Sequence, residues 1–137
     1  MQSILVEDYM DYNPHSISVN TNVKDVVDSL LRDKIIGAPV VDDNKNLVGY
    51  VSEQDCIKEM LQDAFYCEEP GPVTGVMRTE VVTVTPETSI VEIAESMLKK
   101  HHKNYPVVSG GKLVGLISRS NVLKALLENE NDCYLKH

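Results

Sequence analysis

Positive charge is scarce in this chain: 13 Lys and Arg stand against 21 Asp and Glu, a formal net charge of -8. That balance excludes broad attraction to nucleic acid or to an anionic membrane, so an anionic ligand has to be held by a local cluster. The cysteines are Cys56, Cys67 and Cys133. An odd count without CxxC spacing supports neither a disulfide framework nor a zinc site. The first residues lack the basic start and apolar run of a secretory signal, and no apolar stretch is long enough to span a bilayer. A soluble, cytoplasmic protein is expected. Nor does any nucleophile, base and oxyanion set stand out, which argues against an enzyme. His101 and His102 are adjacent, and on a helix adjacent positions diverge by about 100°, so a metal site is not expected there.

What the chain does have is itself, nearly twice. Shifted by about 67 positions, Met10 falls on Met77, Thr21 on Thr88, Ser29 on Ser96 and Pro39-Val40-Val41 on Pro106-Val107-Val108. One residue is then lost in a turn, after which Leu47-Val48-Gly49 falls on Leu113-Val114-Gly115 and Ser52 on Ser118. Two copies use almost the whole length. Function therefore sits in the repeats or between them.

Each copy reads as strand, helix, strand, strand, helix. Val23, Val26, Val27, Leu30 and Leu31 recur at helical spacing, and Ile90, Ile93, Ala94, Met97 and Leu98 repeat the stripe. Ser89 with Glu92, and Asn22 with Asp25, offer capping starts. Short β-prone pieces precede these helices, around Ser16-Ile17-Ser18 and Val81-Val82-Thr83-Val84. After them come paired strands across polar turns at Asp42-Asp43-Asn44-Lys45-Asn46 and Ser109-Gly110-Gly111-Lys112. A second helix follows, its stripe Cys56, Ile57, Met60 and Leu61 matched by Val122, Leu123, Leu126 and Leu127. The expected class is α+β, two β-α-β-β-α repeats packed sheet to sheet about a pseudo-twofold axis, because each small sheet would otherwise leave one face bare. The boundaries are 1-68 for the first repeat, 69-72 for a Pro-Gly-rich linker and 73-137 for the second.

The residues Gly37-Ala38-Pro39-Val40-Val41-Asp42, followed by Leu47-Val48-Gly49-Tyr50-Val51-Ser52-Glu53-Gln54-Asp55, resemble a known family. So do Asn104-Tyr105-Pro106-Val107-Val108 and Leu113-Val114-Gly115-Leu116-Ile117-Ser118-Arg119-Ser120-Asn121. The chain is similar to the tandem cystathionine β-synthase (CBS) domain pair, or Bateman module, over roughly residues 8 to 130, and reads as a stand-alone member. The resemblance implies a regulatory module that binds AMP, ADP, ATP or S-adenosylmethionine between the repeats, requires no cofactor, forms a homodimer through its helical faces and signals to a regulated protein. It also implies that a Ser/Thr-x-x-Asp segment holds the ribose, which Ser52 and Asp55 match and Ser118 and Asn121 match in part. A carboxylate offers two acceptor oxygens to a ribose diol, whereas Asn121 offers one uncharged carbonyl. Capping of the last helix is the competing role for the same Ser-x-x-Asp.

Asn104 is a further ligand-binding candidate, and the resemblance marks positions just before the second Pro as facing phosphates, hence Lys103 with His102 alongside. Pairing of these cations with a helix C-terminus is the alternative. Arg119 has donors for a phosphate where its counterpart Glu53 would repel one. For adenine, Ser16, Ile17 and Ser18 with Ala38 and Pro39 form one candidate slot; Thr83, Val84 and Thr85 with Tyr105 and Pro106 form the other. Plain strand core is the alternative for both. Two function classes follow: a nucleotide-binding regulatory module, and a ligand-free structural dimerisation or adaptor module. The copies differ where a ligand would touch, so two unequal sites are expected.

Overall fold

A computed structural model describes residues 4–130; Cys133 lies outside them. The described chain divides into two compact units that do not follow the order of the repeats. One is His15–Val81; the other combines residues 4–14 with 82–130. Each repeat core is thus completed by the short segment that precedes the opposite repeat.

In the first unit β1 (Ile17–Ser18), β2 (Gly37–Val41) and β3 (Leu47–Ser52) form a sheet in the order β1-β2-β3, with α1 (Val23–Asp33) and α2 (Glu53–Tyr66). β1 runs parallel to β2, and β2 antiparallel to β3 with Gly37 opposite Ser52. Ile17, Val23, Val26, Leu30, Ala38, Val40, Val51, Cys56 and Val73 form its core. The α1 stripe supplies three of these. Asn22 caps the helix by accepting from the Asp25 N–H at 2.9 Å, and the first helical N–H, on Val23, donates to Gly71 O at 2.9 Å. The Pro-Gly-rich stretch is therefore docked on the first helix rather than spanning free space.

The second unit repeats this with α3 (Ile90–Lys100), β4 (Asn104–Ser109), β5 (Lys112–Ser118) and α4 (Arg119–Glu128). Its sheet has two strands. The expected strand around Val81–Val84 is reduced to a single parallel bridge, Val84 to Val107. Register explains the loss. In the first unit Val19 N–H extends the ladder to Val41 O at 2.8 Å, and the matching position is Pro86, which has no N–H to donate. The Ser89–Glu92 capping box is not formed either. Ser89 accepts from the Val91 N–H at 3.2 Å instead, and Ile4 O takes the first helical N–H, on Ile90, at 2.9 Å. The length difference between copies falls in the hairpins: β4–β5 turns on Gly110 and Gly111, both at positive φ, whereas β2–β3 uses a loop held by Asp42.

The exchanged segments dock alike. Residues 6–8 and 73–75 each form a short 3-10 turn whose Val6 or Val73 is fully buried. Each such valine is worth about 1.5–3 kcal/mol. Just beyond, Met10 crosses Gly115 of β5 and Met77 crosses Gly49 of β3. The aligned methionines and the aligned glycines are partners. A Cβ on Gly49 would lie 2.7 Å from Met77 Sδ and 2.8 Å from Arg78 O; on Gly115 it would lie 2.7 Å from Met10 Sδ and 2.9 Å from Asp11 O. A side chain can turn aside, but the backbone carbonyl cannot without undocking the segment.

Elsewhere the copies diverge and compensate. Tyr105 fills the second core and its hydroxyl pairs with Ser96 at 2.7 Å. Ala38 stands at that place in the first copy, and there His15 Nε2 meets the equivalent Ser29 Oγ at 2.7 Å, with His15 Nδ1 3.1 Å from Asp33. This Ser-His-Asp order is not a nucleophile: Ser29 is buried in the interior of α1, where its N–H belongs to the helix and cannot serve an oxyanion. At the far ends of the last helices, Asn129 donates to the Tyr9 hydroxyl at 3.0 Å. The matching pair is Asp63 and Val76, and Val76 has no hydroxyl to offer. Asp63 Oδ2 is buried with no hydrogen-bond partner.

The second-helix stripes are not core throughout. Cys56 and Val122 are buried, but Ile57, Leu61, Leu123 and Leu127 are exposed, as are Leu31 and Leu98 of the first helices. Each helix turns only one side to its sheet. We expect Gly49→Ala to lower unfolding free energy by about 1–3 kcal/mol, read by chemical denaturation, and Met77→Ala not to restore it because the Arg78 carbonyl remains. Wild-type stability in Gly49→Ala would contradict this packing.

Candidate functional site

Both last strands end in a serine that starts the last helix. Ser52 Oγ accepts from the Asp55 N–H at 3.3 Å, while Asp55 Oδ2 accepts from the Ser52 N–H at 2.9 Å and from its hydroxyl at 2.8 Å. In the second copy Ser118 Oγ accepts from the Asn121 N–H at 3.3 Å, and Asn121 Oδ1 accepts from the Ser118 N–H and hydroxyl, each at 2.9 Å. The two caps are the same object built once with a carboxylate and once with an amide. One oxygen suffices for this cap.

The consequence for Asp55 is chemical. Its Oδ2 already accepts two donors, so only Oδ1 is left for a ligand, and the expectation of two free oxygens is reduced to one. Oδ1 lies 3.6 Å from Arg78 Nε, with the Asp55 side chain 15% exposed and Arg78 64% exposed. The neighbouring Cys56 thiol is pushed up, first by burial and then by the Asp55 charge. It stays protonated and inert.

Arg78 did not stand out in sequence because it lies far down the chain, beyond the Pro-Gly stretch. The docked segment brings it back: Tyr50 N–H donates to Arg78 O at 2.9 Å and Arg78 N–H donates to Tyr50 O at 2.8 Å. Tyr50 was also missed. Its ring covers Gly37, where a Cβ would stand 2.9 Å from the Tyr50 hydroxyl. The first copy therefore has a cation and an aromatic ring of its own beside Ser52 and Asp55. In the second copy Asp11 pairs with Leu116 in the place of Arg78, and Asp11 Oδ1 accepts from the Asn13 N–H at 2.9 Å.

The cations of the second copy lie at the end of α3 and the start of α4. Arg119 donates through Nε to His102 O at 3.2 Å and through Nη2 to His101 O at 3.0 Å, so its guanidinium closes the end of α3. The helix stops at Lys100, and His101 takes a left-handed conformation with φ 60°. His102 packs its ring on Tyr105 at a centroid distance of 5.1 Å. Lys103 is exposed, and its carbonyl accepts from the Arg119 N–H at 3.2 Å. Asn104 stands opposite Ser118. Among the described residues no group of three or more His, Cys, Asp or Glu side chains converges to hold a metal ion.

Of the candidate adenine slots, Ile17 and Ala38 belong to the first core and Tyr105 to the second. Pro39 and Pro106 are buried, whereas Ser16, Ser18 and Thr83 are exposed. Thr85 is exposed and tied to Thr88 by its N–H at 3.1 Å. Val84 packs against the second core. No helix among the described residues is long and apolar enough to cross a membrane.

Comparison with known proteins gives a family and several relatives. The CBS domain model matches residues 6–62 and 73–128. MJ1225, an uncharacterized protein of Methanocaldococcus jannaschii, is 26% identical over 88% of this chain and 42% of its own length. The chloroplastic CBS domain-containing protein CBSX2 of Arabidopsis thaliana is 28% identical over 85% of this chain and 60% of its own length. The chain thus spans about half the length of these curated relatives. A crystal structure of CBSX2 in complex with AMP superposes with a TM-score of 0.81 at 32% identity, covering 92% of this chain and 98% of that one. AcuB from Vibrio cholerae superposes with a TM-score of 0.83 at 31% identity, covering 96% and 98%.

Because an amide caps the second junction in the same geometry, Asp55→Asn should keep the fold within about 0.5 kcal/mol, whereas Asp55→Ala should cost about 1 kcal/mol through the lost cap. Equal losses in urea denaturation would show that the charge, not the cap, holds this helix start.

Proposed function

Since the chain belongs to the CBS domain family, with both repeats present, we propose that it is a regulatory module that binds an adenosine-type ligand and passes the signal to another protein by a change of shape or association. The observation that carries this is the Ser52–Asp55 junction, where a cap leaves one carboxylate oxygen available for a ribose hydroxyl. Support comes also from CBSX2, whose AMP-bound crystal structure is 32% identical to this chain. AMP, ADP, ATP and S-adenosylmethionine are the ligands of the reading. The free thiols of Cys56 and Cys67 suit a reducing, cytoplasmic setting.

Self-association is part of the reading. Ile57 and Leu61 on α2 and the matching Leu123 and Leu127 on α4 are all at least 60% exposed. Apolar side chains repeated at equivalent positions suit a symmetric contact between two copies. Sedimentation velocity showing only a monomer at micromolar concentration would remove this element.

A second reading is a scaffold that binds no ligand, favoured by Arg78 standing against the one open oxygen of Asp55. Calorimetry separates the two. The nucleotide reading expects AMP to bind the wild type with measurable heat and to raise its melting temperature, and Asp55→Asn, which keeps the cap, to weaken that binding about tenfold. Absence of heat at millimolar AMP, ADP, ATP and S-adenosylmethionine would establish the scaffold instead.

A further inference from the structure

We propose that Arg78 reads the phosphate of a ligand held at Asp55, so that the first copy selects phosphate-bearing adenosine ligands over neutral ones. This rests on the nucleotide reading of the Ser52–Asp55 junction and assigns to it a residue outside the Ser-x-x-Asp motif. Arg78 is anchored by its backbone to Tyr50, two residues before Ser52, through hydrogen bonds of 2.9 and 2.8 Å. Its side chain is 64% exposed, and its Nε stands 3.6 Å from Asp55 Oδ1. A hydrogen-bonded guanidinium–carboxylate pair closes to about 2.7–2.9 Å. The longer separation keeps the guanidinium beside the junction without saturating its five donors.

Around the first junction the other named positions offer no cation. Glu53 is acidic, and Ile36 and Gly37, which precede Pro39, are uncharged. Arg119, the cation at the equivalent of Glu53, is committed to the carbonyls of His101 and His102. The place of Arg78 in the second copy is held by Asp11, paired to Leu116 as Arg78 is to Tyr50. The same backbone register thus presents a positive charge beside Asp55 and a negative one in the copy that carries Asn121.

This arrangement discriminates by exchange. A ribose hydroxyl that donates to Asp55 Oδ1 displaces the guanidinium. A phosphate on the same ligand gives Arg78 a new anion, whereas a nucleoside leaves it without one. Arg78 therefore penalises adenosine and rewards AMP.

The test is calorimetric titration of AMP and of adenosine into wild type, Arg78→Gln and Arg78→Lys at one ionic strength. Arg78→Gln keeps the aliphatic stem and the backbone pairing to Tyr50. It should lower AMP affinity about tenfold or more while leaving adenosine affinity equal or higher, and Arg78→Lys should retain part of the preference. An unchanged ratio of AMP to adenosine affinity in Arg78→Gln overturns the assignment and leaves the nucleotide reading standing. A proportional loss of both ligands overturns it equally, since that is what a purely structural role would give. If wild type binds neither, the nucleotide reading falls and this assignment with it.

Discussion

In the last strand of each sheet a glycine lets a crossing backbone approach more closely than any side chain would permit. At Gly49 and Gly115 the carbonyls of Arg78 and Asp11 come to 2.8 and 2.9 Å of the place where a Cβ would stand. Only without that carbon can the exchanged segments lie flat, bury Val73 and Val6, and pair with Tyr50 and Leu116. The pairing with Tyr50 then sets Arg78 beside the start of α2. Position along the chain and position in space are decoupled here, and that decoupling lets a residue between the repeats serve the first of them.

The two junctions separate a structural role from a chemical one. Asn121 caps α4 with the same contacts that Asp55 makes on α2, so the cap does not require a carboxylate. Outside the cap the Asp55 carboxylate faces Arg78, whose Nε lies 3.6 Å from Oδ1. Within the cores the copies diverge differently, each large change being met nearby. Tyr105 against Ala38 is answered by His15 on the shared serine position. Tyr9 against Val76 is not answered, and Asp63 Oδ2 is left without a hydrogen bond.

Local order was legible in the chain because it depends on neighbours in sequence. The stripes of α1 and α3, the hairpins, the Asn22 cap and the Ser52–Asp55 start all rest on residues a few positions apart. The short strand at Val84 was overcalled, although the missing donor of Pro86 was there to be read. The apolar stripes of α2 and α4 were legible as faces only: periodicity marks an apolar face but not whether that face meets the sheet or solvent, and Leu61 and Leu127 meet solvent. Arg78 and Tyr50 were out of reach. Their adjacency to Asp55 arises from an exchange of segments, and no local pattern encodes it. The repeat did hold a trace of it, since methionine and glycine recur in step, but alignment alone does not say that one packs on the other.

A crystal structure of the protein grown with AMP would show directly where Arg78 and Asp55 stand in the liganded state. A ribose hydroxyl on Asp55 Oδ1, the Ser52 cap on Oδ2 intact, and the Arg78 guanidinium turned from the carboxylate to the phosphate are expected. Nucleotide bound with Arg78 still against Asp55, or bound only beside Asn121, would contradict that arrangement.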